Sequence, residues 1–216
     1  MTAGPRAVLW DLDGTIADSK DFHWRAWRET MALGGAPITY EQFLHSFGQR
    51  NDAILGVWLP GAPSERVARL GDEKEARFRR LVAEGPLHAL PGAMDWIERL
   101  AQAGWRQAIA SSAPPANVTA MARVLKLDAV MGALVSADDV HRGKPDPEVF
   151  LVAASRLGVP PERCVVVEDA AAGIEAARRG GMKSIGVGGP ALSAADVHVT
   201  SLADLPPEAF EPLVPA

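Results

Sequence analysis

Apolar residues recur along this chain in two rhythms. In some stretches they form short unbroken runs that end abruptly at Gly, Asp or Ser. In others they return every three or four positions. The first run, Ala7-Val8-Leu9-Trp10, stops at Asp11-Leu12-Asp13-Gly14-Thr15 and reads as a buried strand closed by a turn. Runs at 105–110, 130–135, 163–167, 183–187 and 197–200 predict further strands. Helical spacing predicts a helix over 21–33, where Phe22, Ala26, Trp27, Thr30 and Met31 share a face and Gly34-Gly35 closes the end. Short helices are predicted over 39–47 and 52–59, the second stopped by Pro60-Gly61. A long, heavily charged helix follows over 64–83, with Ser64 as N-cap, a wet face, and Gly71-Asp72 as a break point. Later helices are predicted over 93–103, 116–126, 148–157 and 170–179.

From residue 90 onward strand and helix alternate, and this argues for a parallel sheet covered by helices on both faces. No strand signal occurs within 17–87. The expected architecture is α/β: a doubly wound, Rossmann-like parallel sheet from residues 1–16 and 88–216, interrupted after its first strand by an inserted helical domain at 17–87.

Composition narrows the classes. Of the 216 residues 48% are hydrophobic, enough for a sizeable core. The net charge of −5, with no basic run, speaks against nucleic acid as a partner. No apolar stretch has the length of a membrane span, and the N-terminus lacks a secretion pattern. The single cysteine, Cys164, lies in an apolar run and reads as a buried structural thiol. The expectation is a cytoplasmic protein with a small-molecule partner and neither a nucleic-acid nor a membrane partner; the sequence leaves the oligomeric state open, with a monomer favoured.

In doubly wound sheets ligands bind beyond the carboxyl ends of the strands. The polar residues at those predicted ends are Asp11 and Asp13, then Ser111 and Ser112, then Glu168 and Asp169, with Lys144 in the loop after the third strand. Asp11 and Asp13 are two residues apart and point the same way in extended chain. Taken alone they admit two readings, an Asx turn at Asp13-Gly14 or a pair of carboxylates compensated by a cation, a shared proton or both. The whole set favours a site for phosphate and a divalent cation. With Asp11, Glu168 and Asp169 ionised and Asp13 protonated, Mg²⁺ and Lys144 bring the sum to zero. His45, His88, His141 and His198 have no metal-cluster spacing.

These residues carry a resemblance. Over essentially its whole length the chain resembles the haloacid dehalogenase superfamily and, within it, the beta-phosphoglucomutase-like phosphatases. Four motifs occur in order: DLDGT at 11–15, IASS at 109–112, GKPDP at 143–147 and VVVEDA at 165–170. The resemblance implies that Asp11 is the nucleophile and Asp13 the general acid and base. It also implies catalytic roles for Ser111 and Lys144. Mg²⁺ would be held by Asp11, the main-chain carbonyl of Asp13, Glu168 and Asp169, and the insertion at 17–87 would be a helical cap. Ser112, His23, Arg50 and Lys74 would bind substrate.

Three of those four lie in the cap. His23 also fits a helix-face histidine packed on Trp27, and Lys74 a solvated helix face. Arg50, in FGQRND at 47–52, is one residue out of register with the arginine by which the mutases hold a distal phosphate. The implied activity is Mg²⁺-dependent hydrolysis of a small phosphorylated metabolite, a sugar phosphate, through an aspartyl-phosphate. Alternatives are a beta-phosphoglucomutase and a non-catalytic phosphometabolite-binding protein on the same fold.

Overall fold

The computed structural model describes residues 4–215. The chain divides into two compact units, one formed by residues up to 18 and from 88, the other by Ser19–Leu87.

The first unit is built on a six-stranded sheet. The strands are β1 (Ala7–Trp10), β2 (Arg106–Ala110), β3 (Ala133–Val135), β4 (Cys164–Glu168), β5 (Lys183–Val187) and β6 (Val197–Val199). Its order is β3-β2-β1-β4-β5-β6, and each paired neighbour is parallel. β1 is central, with Val8 paired to Gln107 on one side and Val165 on the other. Helices α5 (Ala93–Gln102), α6 (Pro115–Val124), α7 (Glu148–Leu157) and α8 (Ala171–Arg179) supply the crossovers.

Alternation along β1 assigns its side chains to two faces. Ala7 and Leu9 share one buried cluster with Val135, Val166, Phe150 of α7 and Ala177 of α8. Trp10 instead packs with Phe210, which also meets Trp96 of α5 and Trp105. The indole of Trp10 donates to Gln107 Oε1 at 2.9 Å, and Gln107 Nε2 donates to the Ile97 carbonyl at 2.9 Å. A polar residue can therefore occupy a central strand without an unpaired amide. Each large apolar side chain fully buried here stabilises the fold by about 1.5–3 kcal/mol.

From β1 the chain builds β2 and β3 to one side, then crosses to build β4, β5 and β6 on the other. The switch point lies between β1 and β4, and a crevice opens there at the carboxyl ends.

The second unit is helical: α1 (Lys20–Leu33), α2 (Tyr40–Ser46), α3 (Asn51–Trp58) and α4 (Ser64–Glu84). Its core gathers Trp27, Met31, Phe43, Ile54, Leu55 and Leu70. Thr39 and Gln42 form a capping box at the start of α2.

Three local expectations are corrected. α4 runs unbroken through Gly71-Asp72, because Leu70, Lys74, Phe78 and Val82 form one buried stripe at four-residue spacing that outweighs the glycine cost of roughly 0.5–1 kcal/mol. Pro63, not Ser64, is its N-cap. The third strand shrinks to Ala133–Val135; Leu127 and Met131 are buried in a turn whose amides at Val130 and Met131 donate to the Leu127 carbonyl. No helix among the described residues is long and apolar enough to cross a membrane.

Candidate active site

Parallel pairing continues one residue past β1, where the Asp11 amide donates to the Val167 carbonyl at 2.9 Å. Asp11 is thereby held beside Glu168 at the switch point, and both are buried. The chain then turns sharply. The Leu12 carbonyl accepts from Ile16 and Ala17, and Gly14 donates to the Ala17 carbonyl. Gly14 adopts φ +86°, and a Cβ there would overlap the Asp169 carboxylate. Glycine is required on both counts: for the left-handed backbone and for the close approach of Asp169. Asp13 sits half-buried in this turn.

Lys144 crosses to this point from the loop before α7. Its Nζ donates to Asp11 Oδ1 at 2.5 Å and to Glu168 Oε1 at 2.6 Å, with its side chain 8% exposed. Glu168 Oε2 accepts from the Ala170 amide at 2.7 Å, so both its oxygens are engaged. Gly173, on the first turn of α8, lies directly under Glu168, where a Cβ would overlap the side chain.

Burial pushes the Asp11 carboxyl well above the usual carboxylate range. Lys144 pulls against that, and the charges of Glu168 and Asp169 add to it. Burial alone would lower the Lys144 pKa, but Asp11 and Glu168 outweigh it and raise the pKa above the ordinary value. Lys144 is a fixed cation.

Among the described residues, Asp11, Glu168 and Asp169 each offer one oxygen, and these lie within 4.8 Å of one another. Opposite ligands of an octahedral Mg²⁺ stand roughly 4 Å apart, and the ion favours carboxylates. Three carboxylates against the one ammonium leave a charge of −2. The donor chemistry and the charge fit a divalent cation. The Asp13 carboxylate is not in this group.

Ser111 directly follows β2, next to β1, and is buried. Its hydroxyl oxygen accepts from the Ala113 amide at 3.1 Å, which leaves its proton for another acceptor. Ser112 follows, half-buried.

The remaining candidates belong to the helical unit. Lys74 is only 3% exposed, which corrects the solvated-face reading. Its ammonium contacts Glu75 Oε1 at 2.8 Å and His23 Nδ1 at 2.9 Å, over the rings of Trp27 and Phe78. Asn51 Nδ2 donates to the same Glu75 oxygen at 2.7 Å. An ammonium has no acceptor, so His23 Nδ1 accepts and its proton is on Nε2. His23 stacks on Phe78, with ring centroids 4.0 Å apart, and meets Phe47 edge-on. Arg50 stands apart from this network, exposed and 3.5 Å from Asp52.

Within the first unit the structure thus brings Asp11, Lys144, Glu168 and Asp169 together, with Asp13 in the adjoining turn. Sequence reasoning missed Glu75, Asn51 and Gly173. A glycine inside an amphipathic helix was the available signal for Gly173.

A model of the haloacid dehalogenase-like hydrolase family matches residues 5–181. The CbbY protein of Rhodobacter capsulatus is 32% identical over 83% of this chain and 84% of its own length. Hexitol phosphatase A of Escherichia coli K12 is 35% identical over 86% of this chain and 84% of its own. The crystal structure of beta-phosphoglucomutase from Clostridium difficile superposes with a TM-score of 0.87 at 27% identity, covering 97% of each chain. With its motif carboxylates and lysine converging at the switch point of this sheet, the chain belongs to the haloacid dehalogenase-like hydrolases, in their beta-phosphoglucomutase-like phosphatase branch.

Proposed function

We propose that this phosphohydrolase is a Mg²⁺-dependent phosphatase of a small sugar phosphate, working through an aspartyl-phosphate on Asp11. The observation that carries the reading is Lys144, clamped between Asp11 and Glu168 with Asp169 alongside. The family kinship and a hexitol phosphatase among the relatives support the substrate class. We take the cytoplasm as its compartment.

Asp11 attacks the phosphorus, and the bond to the leaving oxygen breaks. The Asp13 carboxyl gives its proton to that oxygen, then takes one from the water that hydrolyses the phosphoenzyme. Lys144 offsets charge on the transferring group, Ser111 donates to one of its oxygens, and Ser112 lines the same turn. Asp11, the Asp13 carbonyl, Glu168 and Asp169 would hold Mg²⁺, which supplies charge neutralisation for the phosphoryl oxygens. We take residues 17–87 as the cap that selects substrate, with His23, Arg50 and Lys74 as its polar contacts.

The likeness to a beta-phosphoglucomutase structure favours a second reading, transfer between two sugar hydroxyls. That reaction must keep water, at about 55 M, from the phosphoenzyme, and it requires a firm grip on the distal phosphate. Arg50 is the candidate, and its exposed pairing with Asp52 argues for the phosphatase. A panel of phosphorylated metabolites assayed for phosphate release with Mg²⁺, beside an isomerisation assay on beta-glucose 1-phosphate, decides. Release from a sugar phosphate supports the proposal. Isomerisation faster than release by several decades overturns it.

A further inference from the structure

Lys144 has a flexible stem, yet it reaches two carboxylates from a loop. Such a side chain gives up much rotamer freedom when fixed, and a mobile carrier loop would add to that loss. The structure shows what holds the loop. Glu148, the first residue of α7, turns both carboxylate oxygens away from its own helix. Oε1 accepts from the His141 amide at 3.1 Å and Oε2 from the Arg142 amide at 3.0 Å. Asp146 closes the other end, accepting from the Glu148 amide at 3.1 Å, while its own amide donates to the Gly143 carbonyl at 3.0 Å. The Arg142 guanidinium lies 3.2 Å from Asp146 and 3.7 Å from Glu148. The first turn of α7 thus acts on the lysine twice, since Phe150, two residues on from Glu148, sits under the ammonium, with Nζ 4.9 Å from the ring centroid. Phe150 is itself fixed in the core.

A glutamate at the first position of a helix ordinarily serves the helix's own amides and its dipole. Here both oxygens are used up on loop amides that precede Lys144. Charge-assisted bonds of this kind are the strong ones, and the two amides acidify Glu148, the His141 amide most. We propose that Glu148 is a positioning residue for Lys144: it clamps the loop at His141 and Arg142 so that the ammonium is delivered between Asp11 and Glu168.

The test compares Glu148→Ala and Glu148→Gln with the wild type in the full chain. Gln retains one acceptor and turns an NH₂ toward the other amide, so it should fall between the two. Three quantities are read: amide exchange over 141–147, acetylation of Lys144 by an N-hydroxysuccinimide ester, and kcat and KM for a hydrolysed phosphomonoester. In Glu148→Ala the His141 and Arg142 amides should exchange at least about tenfold faster. Lys144 should become acetylated while buried Lys74, in the other unit, stays protected. kcat should fall about tenfold with KM changed little, as for an interaction made in the transition state.

Unchanged exchange overturns the proposal, and so does faster exchange with Lys144 still protected. An unaltered kcat in a variant whose Lys144 has become reactive also overturns it. If exchange rises throughout the chain, Glu148→Gln decides in its place. The kinetic arm rests on the phosphatase reading. If the wild type hydrolyses nothing, that reading has failed, and the exchange and acetylation arms still judge Glu148.

Discussion

Gly173 lies so close beneath Glu168 that any side chain on it would occupy the space of the Glu168 carboxylate. Glu168 is also tied to Lys144 and to the Ala170 amide, so it cannot move aside without losing both. Gly173→Ala should therefore weaken Mg²⁺ binding about tenfold or more, by the displacement of a carboxylate of the proposed metal site. Alanine favours the helix by roughly 0.5–1 kcal/mol, which is less than a broken buried ion pair costs, so Tm should fall as well. Titration calorimetry with Mg²⁺ and thermal melting measure the two. Unaltered metal affinity would remove Gly173 from the site.

Asp11→Asn should abolish turnover, because an amide cannot form the phosphoenzyme. It should also change the pH dependence of stability in metal-free protein. The folded-state pKa of Asp11 lies above its ordinary 3.8. Between the two values the native state binds more protons than the unfolded state, so this group's contribution falls as pH rises. At neutral pH the metal-free variant should be at least as stable as the wild type. That advantage should vanish below the ordinary value, and Mg²⁺ should stabilise the wild type more. Denaturant melts between pH 4 and 8, with and without Mg²⁺, measure this. More than a few per cent residual activity would sink the covalent route.

Lys74 and Glu75 are a buried ion pair, so removing one partner costs more than removing both. Glu75→Leu should lower stability by about 3 kcal/mol, since it leaves an ammonium without its carboxylate. The double variant Lys74→Met, Glu75→Leu should recover most of that loss. Urea unfolding of Lys74→Met, Glu75→Leu and the double variant beside the wild type gives the coupling. Additive losses would contradict the pairing.

Arg50→Ala should leave Tm nearly unchanged, since an exposed pair such as Arg50–Asp52 contributes about 0–1 kcal/mol. If Arg50 binds substrate uniformly, KM rises more than kcat falls. A selective loss of isomerisation, with hydrolysis intact, would instead identify it as a mutase clamp.

Much of the site was legible because a parallel sheet aligns its strand ends. Asp11, Ser111 and the pair Glu168-Asp169 follow three apolar runs, and topology alone sends such ends to one edge. The polarity of Lys74 misled, since ten charged residues between Glu65 and Arg80 suggest a wet helix. Its i±4 neighbours are Leu70 and Phe78, and that spacing places it on the buried stripe.

The sequence by itself determined the order of strands and helices and the residue types at the strand ends. These follow from periodicity and turn chemistry, which act over a few neighbouring residues. Only the tertiary structure decided the partners. Lys144 meets Asp11 across 133 residues of chain, Asn51 meets Glu75 across 24, and Gly173 makes room for Glu168 through the packing of α8 on β4. Periodicity tells which side of an element faces inward. It does not tell which charge will be waiting there, because that depends on sheet order, crossover and the close fit of backbones distant in sequence.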